Sequence, residues 1–162
     1  MYSQKRLTKD VALIKIKHYC TYQERSHYEV KEKLYSYGLF KSEVEEILSD
    51  LIENNYLNEE RFAKQFSGGK FRMKQWGRKK IQYELQQKGV NKLNIKIGLK
   101  EIDDDQYHAA LEKLALKKWN ELEGQQYLVR QAKTNAYLLQ KGYEQALISS
   151  VINGLAKGNN AE

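Results

Sequence analysis

A leucine, three residues, a glycine and an apolar residue recur three times in this chain, as Leu34-x-x-x-Gly38-Leu39, Leu85-x-x-x-Gly89-Val90 and Leu138-x-x-x-Gly142-Tyr143. The glycines lie 51 and 53 residues apart. Counting forward from each, apolar residues return at +6, +10 and +13: Val44, Leu48 and Leu51; Ile95, Leu99 and Ile102; Ile148, Ile152 and Leu155. Three matches at fixed offsets define an internal repeat of about 50 residues, the signature of units that stack on their neighbours. Glycine enters the left-handed conformation that closes a helix without steric cost. Each glycine is therefore read as the stop of one helix, and the stripe beyond it as the buried face of the next.

The residue content suits helices throughout. Proline is absent and glycine numbers only 10 of 162 residues, while Leu, Lys, Glu and Gln, which lose little rotamer freedom in a helix, are abundant. The fold class is accordingly predicted to be all-α, an elongated tandem array of three three-helix, helix-turn-helix-like repeats. Their bounds are read as 1–55, 56–103 and 104–157, with a disordered tail over 158–162.

Local signals place the helices. The first is expected from Thr8 to Tyr22, after a basic lead over residues 1–6. Ser26 with Glu29, and Ser42 with Glu45, have the spacing of capping boxes that start the second and third. In the second repeat Asn58 is the expected N-cap, Phe62, Ala63 and Phe66 the buried stripe, and Gly68-Gly69 a place where the helix loosens or kinks. Trp76-Gly77 then marks the turn into a helix with Ile81 and Leu85 inward. The third repeat starts at Asp103-Asp104-Asp105. Leu111, Leu114, Ala115 and Trp119, then Leu128 and Leu138, then Ile148, Val151, Ile152 and Leu155 are its expected core.

Charge separates the middle repeat from the others. Residues 1–55 hold nine Lys/Arg against nine Asp/Glu and residues 105–162 seven against six, whereas residues 56–104 hold twelve against six. Nearly all of the +7 net charge therefore sits in the middle third, where it makes a local positive potential able to attract phosphates. Between Arg61 and Tyr83 the chain carries Arg61, Lys64, Lys70, Arg72, Lys74, Arg78, Lys79 and Lys80 with no Asp or Glu. Phe71, Met73 and Trp76 are interleaved with them. Such a segment binds a polyanion by neutralising phosphates and releasing counterions, without reading sequence. The plainer reading is a lysine-rich solvated helix. It is the weaker one, because acidic i+4 partners normally accompany solvated lysines and are missing here. Lys92, Lys96 and Lys100 make a second cationic row, opposite Ile95, Leu99 and Ile102, although such rows are common on plainly solvated faces. Glu43, Glu46, Asp50 and Glu53 form an acidic face in the first repeat that is either solvated or turned toward a protein.

No catalytic constellation is legible, and the chain is not expected to be an enzyme. His18, Cys20 and His27 lack the spacing and number of a zinc site, so no metal or other cofactor is expected. Ser67-Gly68-Gly69-Lys70 lacks the glycine spacing of a phosphate-binding loop and falls inside a helical pattern. The single Cys20 excludes an internal disulfide and suits a reducing cytoplasm. No apolar run approaches the ~20 residues of a membrane span, and no signal peptide is read.

At Arg61-Phe62-Ala63-x-x-Phe66, Lys70-x-Arg72, Gly77 and Ile81-x-x-Glu84-Leu85-x-x-Lys88-Gly89-Val90, the sequence resembles the RecX family of bacterial recombination regulators. Tyr56-Leu57-Asn58-Glu59 resembles that family's usual lead-in, although the family often has an Asp where Asn58-Glu59 stands here. The resemblance is strongest over residues 25–100. It implies a modulator that binds the RecA filament on single-stranded DNA, lodges in its groove and restrains growth, strand exchange and ATP turnover. In that setting Lys64, Lys70, Arg72, Lys74, Arg78, Lys79, Lys80, Lys92, Lys96 and Lys100 would face filament or DNA, and Glu43, Glu46, Asp50 and Glu53 would face protein. The partners would be RecA with single-stranded and possible double-stranded DNA, the protein itself a monomer. The rival is a helix-turn-helix DNA-binding regulator that acts without RecA, with Asn91 and Asn94 as its faint base-reading candidates.

Overall fold

Each glycine of the sequence repeat closes a helix. In the computed structural model, which describes residues 6–160, Gly38, Gly89 and Gly142 adopt φ of +85°, +76° and +100°. Their amides donate to the carbonyls of Tyr35, Gln86 and Leu139 at 2.9–3.0 Å. The preceding leucines, Leu34, Leu85 and Leu138, are fully buried. At +6 from each glycine Val44, Ile95 and Ile148 are buried as well.

The described residues form nine helices and no strands: α1 (Lys9–Tyr22), α2 (His27–Ser36), α3 (Lys41–Glu53), α4 (Glu59–Lys74), α5 (Arg78–Gln87), α6 (Lys92–Leu99), α7 (Asp104–Glu121), α8 (Tyr127–Lys141) and α9 (Gln145–Asn160). The all-α repeat array read from the sequence is what the backbone builds. Side-chain oxygens start many of these helices by taking a backbone N–H that has no helical partner. Thr8 caps α1, Asn58 accepts from Arg61 N–H at 2.9 Å, and Asp103 accepts from Gln106 N–H at 3.0 Å. The Ser26–Glu29 box is complete, each backbone N–H donating to the other's side chain.

Four local expectations need correction. The Ser42–Glu45 box does not form: α3 starts earlier, with Phe40 at the N-cap, and it is Glu43 that reaches back to the Phe40 N–H at 3.0 Å. That bond, ahead of the nearby Arg6, holds the Glu43 carboxyl below the usual range. Gly68-Gly69 does not break α4, because a glycine costs a helix only ~1 kcal/mol. Gly68 leaves the space that the Arg72 guanidinium occupies. Leu128 is 74% exposed rather than part of the core, whereas Tyr107 and Tyr143, outside the expected core, are fully buried. The chain stays helical through Asn160 where a disordered tail was expected. Residues 1–5 of the basic lead and residues 161–162 lie outside the described residues.

These elements make two compact units. One comprises the described residues up to Gln65 together with Leu85–Gly98. In it α1, α2 and α3 pack on one another around Ala12, Ile16, Val30, Leu34, Val44, Ile47 and Leu51. Helix α6 meets the first half of α4 through Gly98, where a Cβ would come 2.6 Å from the Ala63 carbonyl oxygen. The other unit comprises Phe66–Glu84 and everything from Leu99 onward. There α7, α8 and α9 pack together, and Leu111, Ala115, Trp119, Leu138, Ile148 and Ile152 are buried. The border between the units crosses both α4 and α5.

Candidate nucleic-acid interface

Of the eight cations between Arg61 and Tyr83, three have carboxylate partners. Arg61 pairs with Glu24, Lys64 with Glu60 one turn earlier at 3.3 Å, and Arg78 with Asp104 and Glu144. Among the described residues no ion pair involves Lys70, Arg72, Lys74, Lys79 or Lys80. These five all belong to the second unit.

The turn from α4 to α5 gathers them. Gln75 takes φ of +56°, which lets the chain reverse within three residues. The turn is held by the end of α8. Lys141 Nζ donates to the Lys74 carbonyl at 3.1 Å, and the Tyr143 hydroxyl donates to the Gln75 carbonyl at 2.9 Å. The Gly77 and Lys79 amides donate to the carbonyls of Lys141 and Gly142 at 2.8 and 2.9 Å. The free donors at the start of α5 are thus satisfied by free acceptors at the end of α8, two helix termini of opposite partial charge.

Arg78 serves this junction rather than the surface. Its side chain is only 26% exposed, its guanidinium lies 3.9 Å from the Tyr107 ring, and its backbone N–H donates to the Tyr107 hydroxyl at 3.1 Å. That hydroxyl donates in turn to Glu144 at 2.6 Å. Burial and the bond to Glu144 push the Tyr107 hydroxyl far above the ordinary tyrosine range, so it stays a donor. Arg78 therefore stands apart from the other cations expected at the interface.

With the turn fixed, Trp76 becomes the centre of a cluster. The ammonium groups of Lys80, Lys70 and Lys74 lie 4.6, 5.1 and 5.6 Å from its indole ring. A cation over an indole face gains ~0.5–1 kcal/mol at an exposed site, which offsets part of the repulsion among three like charges. Beside the cluster is a depression of about 260 Å³ lined by Trp76, Lys80, Tyr137, Gln140 and Lys141, with no carboxylate in its wall. Arg72 and Lys79 are exposed nearby in the sequence. The residues that sequence reasoning missed here are Tyr107, Lys141, Tyr143 and Glu144, while Tyr137 reads from the sequence equally as a stacking or a packing residue. Only Tyr143, one position after a repeat glycine, carried a signal, and that signal was for burial alone.

The remaining candidates lie elsewhere. Lys92 and Lys96 are exposed on α6 in the first unit, whereas Lys100 falls beyond the end of α6, so the three do not form one helical row. The acidic residues of the first repeat are largely engaged within the chain: Glu43 with Arg6, Glu46 with Lys9 at 2.5 Å, and Asp50 with the Asn54 amide at 2.7 Å. Glu53 is exposed. Asn91 caps α6, and the side-chain amides of Asn91 and Asn94 both donate to Glu59, at 3.4 and 3.1 Å. Both side chains are thus engaged within the chain.

Fold and site together define an all-helical repeat protein, built of helix-turn-helix-like modules and carrying a cation-and-indole cluster at one inter-helix turn. Residues 58–99 match the family model for the second three-helix domain of RecX, and residues 104–152 that for the third. The chain is 30% identical to the regulatory protein RecX of Chlorobium limicola, covering 82% of each, and 32% identical to that of Clostridium perfringens, covering 83% of this chain and 63% of the other. Its backbone superposes on the crystal structure of RecX from Lactobacillus salivarius with a TM-score of 0.82, at 25% identity over 91% of this chain and 96% of that one. The chain belongs to the RecX family of regulatory proteins. No helix among the described residues is long and apolar enough to cross a membrane.

Proposed function

We propose that this protein is a negative modulator of RecA that binds the RecA–single-stranded DNA filament and restrains filament growth, recombination and ATP turnover. The observation that carries the reading is the Trp76 cluster, in which Lys70, Lys74 and Lys80 converge on one ring with no carboxylate partner. Cations held together without counter-charge are a standing attraction for a polyanion, and their field acts from a distance to raise association rates. Lys79 and Arg72 add exposed cations close by in the sequence, and Lys92 and Lys96 offer further exposed cations in the first unit. Three tandem three-helix modules, bounded as the repeat suggests, supply the body that carries these faces along the filament. The protein acts as a monomer in the cytoplasm, where its lone buried thiol is compatible with reducing conditions.

The test is the DNA-dependent ATPase of RecA titrated with this protein at two salt concentrations. Inhibition well below one copy per RecA, weakening at high salt, is the expected result. ATP turnover that stays unchanged while the protein still binds DNA would overturn the reading in favour of a DNA-binding regulator independent of RecA.

A further inference from the structure

The cations of the α4–α5 turn are arranged around an aromatic ring rather than along a line, and that decides which form of polyanion they suit. A rod of phosphates, such as duplex backbone, is met by a row of lysines and has no use for an indole. Here the ring of Trp76 is half-buried at the centre, with Lys80, Lys70 and Lys74 within 5.6 Å of it, and Tyr137 and Gln140 line the adjoining depression. Lys141, in the same wall, spends its ammonium group on the Lys74 carbonyl and so fixes the turn. At about 260 Å³ the depression falls short of the roughly 300–1,000 Å³ of small-molecule pockets, and its wall mixes flat rings with cations. A flat aromatic ligand that brings its own negative charges meets both features at once. A nucleotide whose base is not already paired and stacked is such a ligand, since every base has a free π-face once it leaves a duplex.

We propose that Trp76 is a stacking platform for one unpaired nucleotide of a single DNA strand, with the flanking phosphates held by Lys70, Lys74 and Lys80. This rests on the polyanion-binding part of the function above and adds to it a preference for single strands. The turn is held from both sides: the Lys74 and Gln75 carbonyls are taken by Lys141 and Tyr143, the Gln75 and Trp76 amides donate back to α4, and the Gly77 amide donates to the end of α8, so Trp76 is presented with little ordering penalty at the moment of binding.

The experiment needs no RecA, so its failure is distinguishable from failure of the RecA reading. Tryptophan emission of the intact protein is titrated with an oligo(dT) strand, with a duplex of equal length and with inorganic polyphosphate. The only other tryptophan, Trp119, is 2% exposed and should respond to none of them. Quenching by oligo(dT), and much less by duplex or polyphosphate at equal saturation, is the expected result. Stacking on an aromatic is worth enough that Trp76→Ala should lose roughly tenfold in affinity for oligo(dT) and about twofold or less for duplex. Trp76→Phe, which keeps a smaller ring, should fall between. Equal quenching by polyphosphate, or equal loss of single-strand and duplex affinity in a Trp76→Ala protein with a native circular dichroism spectrum, would reduce the cluster to a plain phosphate patch and overturn the proposal.

Discussion

Gly77 and Gly142 lie backbone against backbone: a Cβ placed on Gly77 would overlap the carbonyl group of Gly142. On either side of this contact the Gly77 amide donates to Lys141 and the Lys79 amide to Gly142. Gly142 has a second reason to be glycine, its φ of +100°. The approach is what lets the start of α5 be capped by the end of α8, and what holds Trp76 in place between them.

Gly77→Ala should therefore be among the most damaging single-methyl substitutions in the chain, destabilising by about 2–3 kcal/mol as overpacking against rigid backbone does. Gly69→Ala is the matched control. Nothing lies within 4 Å of a Cβ there and the residue is in mid-helix, so alanine should stabilise by about 0.5–1 kcal/mol. Urea denaturation of the two variants checks both signs.

Arg78 and Lys79 are neighbours with opposite duties. Removing the Arg78 guanidinium leaves Glu144 and Asp104 without their cation and uncovers the Tyr107 ring, so Arg78→Ala should lose about 1–2 kcal/mol in thermal or chemical denaturation. Lys79→Ala should leave stability within about 0.5 kcal/mol of the parent. A Lys79 variant that melts as early as the Arg78 variant would show the assignment to be wrong.

The cluster lysines should report themselves in salt dependence. If each neutralises one phosphate of a single strand, replacing Lys70, Lys74 and Lys80 together by glutamine should flatten the slope of log affinity against log salt by about 2, at ~0.7 per phosphate. Lys64→Gln should change the slope little, since that lysine already has Glu60. Titrations at four or five salt concentrations distinguish the two.

Cys20 supplies a pH dependence. Burial pushes its thiol up from 9.0 to about 11, so the folded protein prefers the protonated form. The associated stability is complete below pH 9 and is lost as pH rises from 9 toward 11. Because the thiolate is the reactive species, alkylation of native protein at pH 8 should be far slower than that of urea-unfolded protein. A Cys20→Ser variant should lose the part of the alkaline destabilisation that belongs to this group.

The fold was legible because three of its helix stops are glycines at matching positions, and a glycine stop acts through local sterics that sequence displays directly. The same holds for Thr8, Ser26, Asn58 and Asp103, whose oxygens bond backbone three residues away. The α3 start was misread because Ser42 and Glu43 both offer cap chemistry, and only the position of the first buried turn, at Val44, selects between them. Leu128 was misread for a different reason: a long apolar side chain near a helix start satisfies the pattern whether or not a neighbour covers it. At the site, the cations and their excess over carboxylates were visible, but their division was not. Arg78 is drawn inward by Asp104 and Glu144, which lie 26 and 66 residues away in the chain, and no local pattern records a partner that distant. Trp76 was visible as a turn residue, while its role as the centre of the lysine cluster depends on a backbone reversal at Gln75 that side-chain periodicity does not encode.

The sequence divides by three and the molecule by two, and the odd module is the one shared. In repeat proteins each unit ordinarily leans only on its immediate neighbours. Here a fragment ending at Asp103 would retain the second half of α4 and the start of α5 but none of Tyr107, Lys141, Gly142 or Tyr143, the residues against which they close. Such a truncation would keep every lysine of the cluster in its covalent order and lose the shape that brings them together. Shortening this chain for experiment should respect the borders inside α4 and α5, not the seams of the repeat.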